Sequence, residues 1–237
     1  MTIGVDKGSF FQVSFLWALL LAALFCGPGL LCAQTSALQK LTFTLDFPGS
    51  DPAHYTLTVT SDGRGSYESD GKLLLQAQPG DRSGINFTLS AATRDQIFNL
   101  ARQIRSSDQR KENHKVASTG TKTFSFDDGQ SVIKIRYDYS PVAKVRDLTS
   151  LFQRLSCTLE FGRRLQYEHR YQKLALAEDM KFMDGQFHQG MLLDVGTIGP
   201  VLQKIVDDPS VINGARMRAQ QLLLADTSSP SGSQKSE

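Results

Sequence analysis

The chain has 237 residues, with 26 Lys and Arg against 24 Asp and Glu, so its formal net charge is only +2. Charges this nearly balanced provide no basic field for nucleic acid or an anionic lipid surface, and nucleic acid is set aside as a partner. Cys26 and Cys32 lie near the N-terminus, leaving Cys157 alone in the body of the chain, where no intramolecular disulfide can form without a second thiol.

An apolar run, "VSFLWALLLAALF" from Val13 to Phe25, opens the chain and is halted by "GPG" at Gly27 to Gly29. Its length fits the central region of an export signal and falls short of the roughly 20 residues that span a bilayer. In "LCAQTSA", which follows, Ala33 and Ala37 are the small residues a signal peptidase accepts, and cleavage after Ala33 leaves Gln34 as the new N-terminus. Phe25 precedes Cys26 and Leu31 precedes Cys32, so neither cysteine sits in a lipid-attachment sequence. The expectation is a signal peptide over residues 1–33 and a periplasmic or secreted body. The alternative is an uncleaved segment, Phe10 to Leu31, anchoring the chain in the inner membrane; only then is a membrane a partner.

From Lys40 the pattern alternates with period two. "KLTFTLDF" puts Leu41, Phe43, Leu45 and Phe47 on one face and Thr42, Thr44 and Asp46 on the other, the mark of a strand with one dry side. "HYTLTVT" repeats it with Tyr55, Leu57 and Val59, then turns at Asp62-Gly63 towards a return strand carrying Tyr67. "GINFTLS" adds Ile85, Phe87 and Leu89. Its "NFT" at Asn86 is a formal glycosylation sequence, of little weight within a strand.

"SAATRDQIFNLARQI" then changes to a helical period, with Ile97, Leu100, Ala101 and Ile104 in one stripe and Thr93 and Gln96 at capping-box spacing. "RSSDQRKENHK", Arg105 to Lys115, reads as a solvated loop. A second hairpin follows, in which Phe124 and Phe126 face Ile133, Ile135 and Tyr137 across a "DDGQ" turn. "STGTKT" before it is no phosphate loop, because it leads into a strand where phosphate binding needs a helix N-terminus.

Beyond Ser140 and Pro141, read as an N-cap and first-turn pair, the chain is helical for nearly fifty residues. Val145, Leu148, Phe152, Leu155 and Leu159 recur at threes and fours, the spacing of a coiled-coil seam or of a helix lying on a sheet. The phase drifts near Gly162, placing a bend or break between Gly162 and Ala175; Met180, Met183 and Phe187 form the next stripe, ended by "DGQFHQG". "IGPVLQKIV" buries Ile198, Val201, Leu202 and Ile205. "DDPSVINGARMRAQQLLL" offers Asp208 as cap, Pro209 as first residue and Val211, Ile212, Ala215, Ala219, Leu222 and Leu223 as its stripe. "DTSSPSGSQKSE" is nearly devoid of apolar side chains and reads as a disordered tail.

The fold expected is therefore α+β, an antiparallel meander sheet of about six strands with one inserted helix, followed by a long helix and a C-terminal helical extension. The divisions are 1–33 signal peptide, 34–140 sheet domain, 141–226 helical region packed on or extending from the sheet, and 227–237 tail.

Reactive groups do not cluster along the sequence. His54, His114, His169 and His188 have no metal-ligand spacing; Asp184 and His188 read as a surface pair. Cys157 has no local histidine and reads as a small buried apolar residue. No nucleophile elbow is present. No catalytic residue, metal ligand or cofactor is implied. One stretch, "RRLQYEHRYQK", interleaves basic and aromatic side chains, so Arg163, Arg164, Tyr167, Arg170 and Tyr171 form the candidate partner surface, for another protein or for a second copy through the long helix.

The strand "HYTLTVTSDGRGSYES", the helix "LSAATRDQIFNLARQ" and "DDPSVINGARMRAQQLL", together with "CAQ" at the leader end, resemble uncharacterised exported bacterial proteins. The resemblance implies no activity, cofactor or site residues, and nothing is carried over from it. The function expected is a non-enzymatic exported domain that binds a protein or an envelope component. The alternatives are a hydrolase of envelope polymers, for which Asp127, Asp128, His114 and His188 are the local candidates, and a membrane-tethered assembly factor.

Overall fold

Leu41, Phe43 and Leu45 alternate with polar residues along β1 (Lys40–Asp46), and each subsequent strand repeats that alternation: β2 (His54–Thr60), β3 (Arg64–Ser69), β4 (Ser83–Thr88), β5 (Thr121–Asp127) and β6 (Val132–Tyr137). The computed structural model describes residues 38–71, 83–105 and 119–228. The leader, residues 106–115 of the expected loop (His114 among them) and residues 229–237 of the expected tail lie outside the described residues.

The strands form one antiparallel sheet in the order β4-β3-β2-β1-β5-β6. β1 to β4 run as a meander, and Gly63, at φ +90°, makes the β2–β3 turn where a side chain would be strained. The register aligns Ile85, Tyr67, Leu57, Phe43, Phe124 and Ile135 in one row across all six strands. The opposite face is polar: Ser66, Thr58, Thr42 and Ser125 share a row that ends in Asn86 and Lys134, and the Thr42 and Thr58 Oγ1 atoms lie 3.4 Å apart. Threonine supplies the β-branched shape a strand favours and leaves that face wettable. Phe47, expected on the dry face, lies beyond the end of β1 and is exposed.

α1 (Ala91–Arg105) carries the chain from the β4 edge back across the sheet, so that β5 pairs with β1. Ile97, Phe98, Ala101 and Ile104 are buried, with Leu100 partly so, and the Phe98 ring meets Phe126 edge-on at 6.3 Å. The cap lies one turn earlier than the Thr93–Gln96 spacing suggests. Ser90 Oγ accepts the Thr93 amide at 3.3 Å, while Asp194 Oδ2 accepts the Ser90 amide at 2.8 Å. Ser90→Ala is expected to cost about 1 kcal/mol, read as a lower urea midpoint at constant slope.

α2 (Ala143–Tyr171) lies on the dry face of the sheet, with Phe152 stacked on Phe43 at 5.0 Å. All five seam residues are buried within the chain, so the seam that would have suited a second copy is covered by the chain's own sheet. Its N-cap is Val142, without a side-chain hydrogen bond; Ser140 and Pro141 precede it, and Ser140 Oγ accepts the Val142 amide. The helix continues through Gly162, where a Cβ would stand 2.4 Å from Ile198 Cγ2, so the glycine serves close packing and does not end the helix. The expected break comes at Gln172–Ala175, before α3 (Leu176–His188).

A 3-10 turn (Val195–Ile198) leads into α4 (Gly199–Asp207), and α5 (Asn213–Ser228) packs on α3 and α4. Asp208 does not cap α5. It ends α4, and its Oδ1 accepts the Ser210 amide and hydroxyl at 2.9 and 2.6 Å, so Pro209 sits in a turn and the helix starts at Asn213. Ile212, placed before that start, is exposed, whereas Val211, Ala215, Ala219 and Leu222 are buried. The helix runs to Ser228, past the expected start of the tail at 227.

Candidate functional site

Eleven residues of α2 and its exit, Arg163 to Lys173, turn about three times around the helix axis at 3.6 residues per turn, so one sequence stretch is dealt to several environments. Arg163 faces inward and is only 4 % exposed. Its Nη1 donates to Glu160 Oε1 and Oε2 at 2.7 and 2.9 Å, and its Nη2 to the Gly71 carbonyl at 3.3 Å. It therefore leaves the candidate partner surface, held inside by Glu160 and by the Gly71 carbonyl just past the end of β3. Arg164 turns towards α3, pairs with Asp179 at 2.5 Å and lies over the Phe161 ring at 4.9 Å. Tyr167 is half-buried against Tyr171, ring centroids 5.0 Å apart, and Arg170 covers the exposed Tyr171 ring at 5.2 Å.

Between Arg164 and Asp179, Glu168 is buried at the α2–α3 contact. Burial, then the hydrogen bond to Asp179 and its negative charge, push the Glu168 acid up to about 8, against the opposing pull of Arg164. Burial beside the Asp179 carboxylate thus favours the protonated form of Glu168. This pair fastens two helices and lines neither of the cavities described next.

The third side of the same stretch faces a groove. Gln166, His169, Arg170 and Lys173 form one wall, with Val201 and Lys204 of α4 opposite, around a cavity of about 410 Å³. A second cavity of about 300 Å³ shares Gln166, Val201 and Lys204 and extends to Gly84, Ile85 and Asn86 of β4, with Thr197 and Pro200. The two cavities adjoin at these shared residues, one beside the end of α2 and the other beside β4. Asp208 balances part of the groove's charge: its Oδ2 accepts from His169 Nε2 at 2.9 Å and Lys173 Nζ at 2.6 Å. Lys173 and Ser210 hold the Asp208 carboxyl well below the usual range. Arg170 and Lys204 are exposed and have no carboxylate at ion-pair distance among the described residues.

Gln166, His169, Arg170 and Lys173 all lie in the interleaved stretch, but of these only Arg170 belonged to the candidate partner surface, and the other three carried no signal beyond their spacing from it. Lys204 and Val201 read only as parts of a short amphipathic helix, and Gly84 to Asn86 only as a strand.

The remaining reactive groups are dispersed. His54 Nδ1 meets Asp46 at 2.5 Å where β1 and β2 pair, and exposed His188 lies 3.5 Å from Asp184. Asp127 and Asp128 accept backbone amides of the β5–β6 turn, from Gly129 at 2.9 Å and from Ser131 at 2.8 Å. Cys157 is partly buried, and burial pushes its thiol up, away from the reactive thiolate. Among the described residues no group of three His, Cys, Asp or Glu side chains is placed to hold a metal ion, and no helix is long and apolar enough to cross a membrane. No family model, curated protein or solved structure matches this chain.

Proposed function

We propose that the chain is an exported, non-enzymatic binding domain whose groove between α2, α4 and β4 receives an acidic protein partner. The observation that carries this reading is the pair of uncompensated cations, Arg170 and Lys204, beside an apolar floor of Val201 and Ile85. Cations without internal carboxylates lose little by meeting an external one, and a mixed apolar and charged trough gives a partner both area and orientation. The dispersed histidines and the carboxylates tied into turns and helix contacts support binding over chemistry. Export rests on the leader sequence.

Two measurements test the reading. Intact mass of the isolated chain is expected to place its N-terminus at Gln34, and a full-length chain overturns export. Crosslinking of the chain in envelope extract is expected to yield a discrete adduct that the double variant R170E/K204E loses at least about tenfold, the size of effect usual for reversing two charges in a binding site. An adduct formed equally by both chains overturns the groove as the docking site.

A further inference from the structure

The two outer strands of the sheet are built differently. β6 carries exposed Lys134 and Arg136 along its length, charges that discourage another strand from pairing there. β4 reads "SGINFT", with neither a charge nor a proline. Among the described residues no strand pairs with its outer edge, and the strand itself has no side chain that discourages pairing. Gly84, Ile85 and Asn86 of this strand form one side of the groove, and Pro200, Val201 and Lys204 stand across from them.

We propose that β4 accepts an extended acidic segment of the partner as a seventh antiparallel or parallel strand, its carboxylates meeting Lys204 and Arg170. This rests on the groove reading above and gives it a binding mode. Unpaired backbone N–H and C=O groups on an outer strand supply affinity for any extended chain, and flanking side chains select its sequence. Alternate residues of an added strand point to one side. Those on the α4 side meet Val201 and Lys204, which favours small apolar and acidic residues in that register. Charge also decides between occupants: a second copy would bring an identical cationic groove to this one, whereas an acidic segment is complementary.

A six-residue peptide alternating Glu and Val matches β4 in length. Labelled with fluorescein and titrated with the purified full chain, it is expected to bind saturably and to slow amide hydrogen exchange in residues 84–88. The same peptide N-methylated at alternate amides keeps its charges and loses donors; it is expected to bind about tenfold or more weaker, as is the unmodified peptide to K204E. Lys204 is exposed, and an unchanged thermal melt establishes that K204E is folded. The charge-reversed counterpart, with Lys for each Glu so that it alternates Lys and Val, is expected not to bind. Equal binding of the methylated peptide overturns strand addition and leaves the groove reading standing. Absence of saturable binding, or binding indifferent to K204E, also overturns strand addition; groove-dependent crosslinking separately decides the reading it rests on.

Discussion

Glu160→Ala is expected to lower the unfolding free energy by about 3 kcal/mol, the scale for breaking a largely buried ion pair from one side. Glu160 accepts from Arg163 through both carboxylate oxygens and from the Tyr67 hydroxyl at 3.0 Å, and Tyr67 is fully buried in the central row of the sheet. Burial and the neighbouring Glu160 charge push the Tyr67 phenol far up, so it remains a donor throughout the working pH range. Without the carboxylate, the buried Arg163 guanidinium loses both Nη1 bonds while its Nη2 keeps the Gly71 carbonyl, and the buried Tyr67 hydroxyl loses its bond to α2. Two further variants separate the causes. Glu160→Gln retains an acceptor for Tyr67 and is expected to cost about half as much. The double variant E160L/R163M removes both charges together and is expected to recover most of the loss. Urea unfolding at constant slope measures all three, and a double variant no better than Glu160→Ala alone contradicts the ion-pair account.

Glu168→Gln is expected to stabilise the chain, and increasingly so as pH rises. The Glu168 acid titrates at about 8 in the folded chain against an ordinary 4.5, so the folded state binds this proton more tightly than the unfolded state does. Stability must then fall as pH rises between those two values, because ionising Glu168 places a second negative charge beside Asp179. Glutamine can donate the same hydrogen bond and never ionises. The gain is expected to be near zero below pH 4.5 and to reach about 2 kcal/mol at alkaline pH, allowing for relaxation and for the partial compensation by Arg164. Thermal melts of both chains across this range decide it. A difference that does not grow with pH contradicts the assignment of the proton to Glu168.

The parts of the fold legible in the sequence are those governed by local period. Leu41, Phe43 and Leu45, or Val145 through Leu159, announce their dry faces because a strand or a helix with one buried side must repeat at two or at three and four. Helix starts were less legible. Ser90 displaced Thr93 as the cap of α1, and Asp208 was drawn into a turn with Ser210 while also holding His169 and Lys173, contacts that depend on chain thirty to forty residues away. The groove was least legible. Its walls come from 84–86, 166–173 and 197–204, and nothing in any one of those segments marks it as a wall until the topology brings β4 beside α2 and α4. Arg163 shows the converse, since the same interleaved stretch that suggested a surface contains a side chain sealed inside.

The placement of β1 has a further consequence for biogenesis. The first strand made is an inner strand of the finished sheet, flanked by β2 on one side and by β5 on the other. A nascent chain stopped after β4 has every hydrogen bond of the meander and still presents one bare flank of β1, together with the side of Leu41, Phe43 and Leu57 that α2 will later cover. Such an intermediate is adhesive along its middle, and it stays so until synthesis delivers residues 121–171. Release of the chain in that interval, by premature termination or proteolysis, is expected to leave a fragment whose open β1 flank favours pairing with its neighbours, so this architecture favours completion of the whole polypeptide.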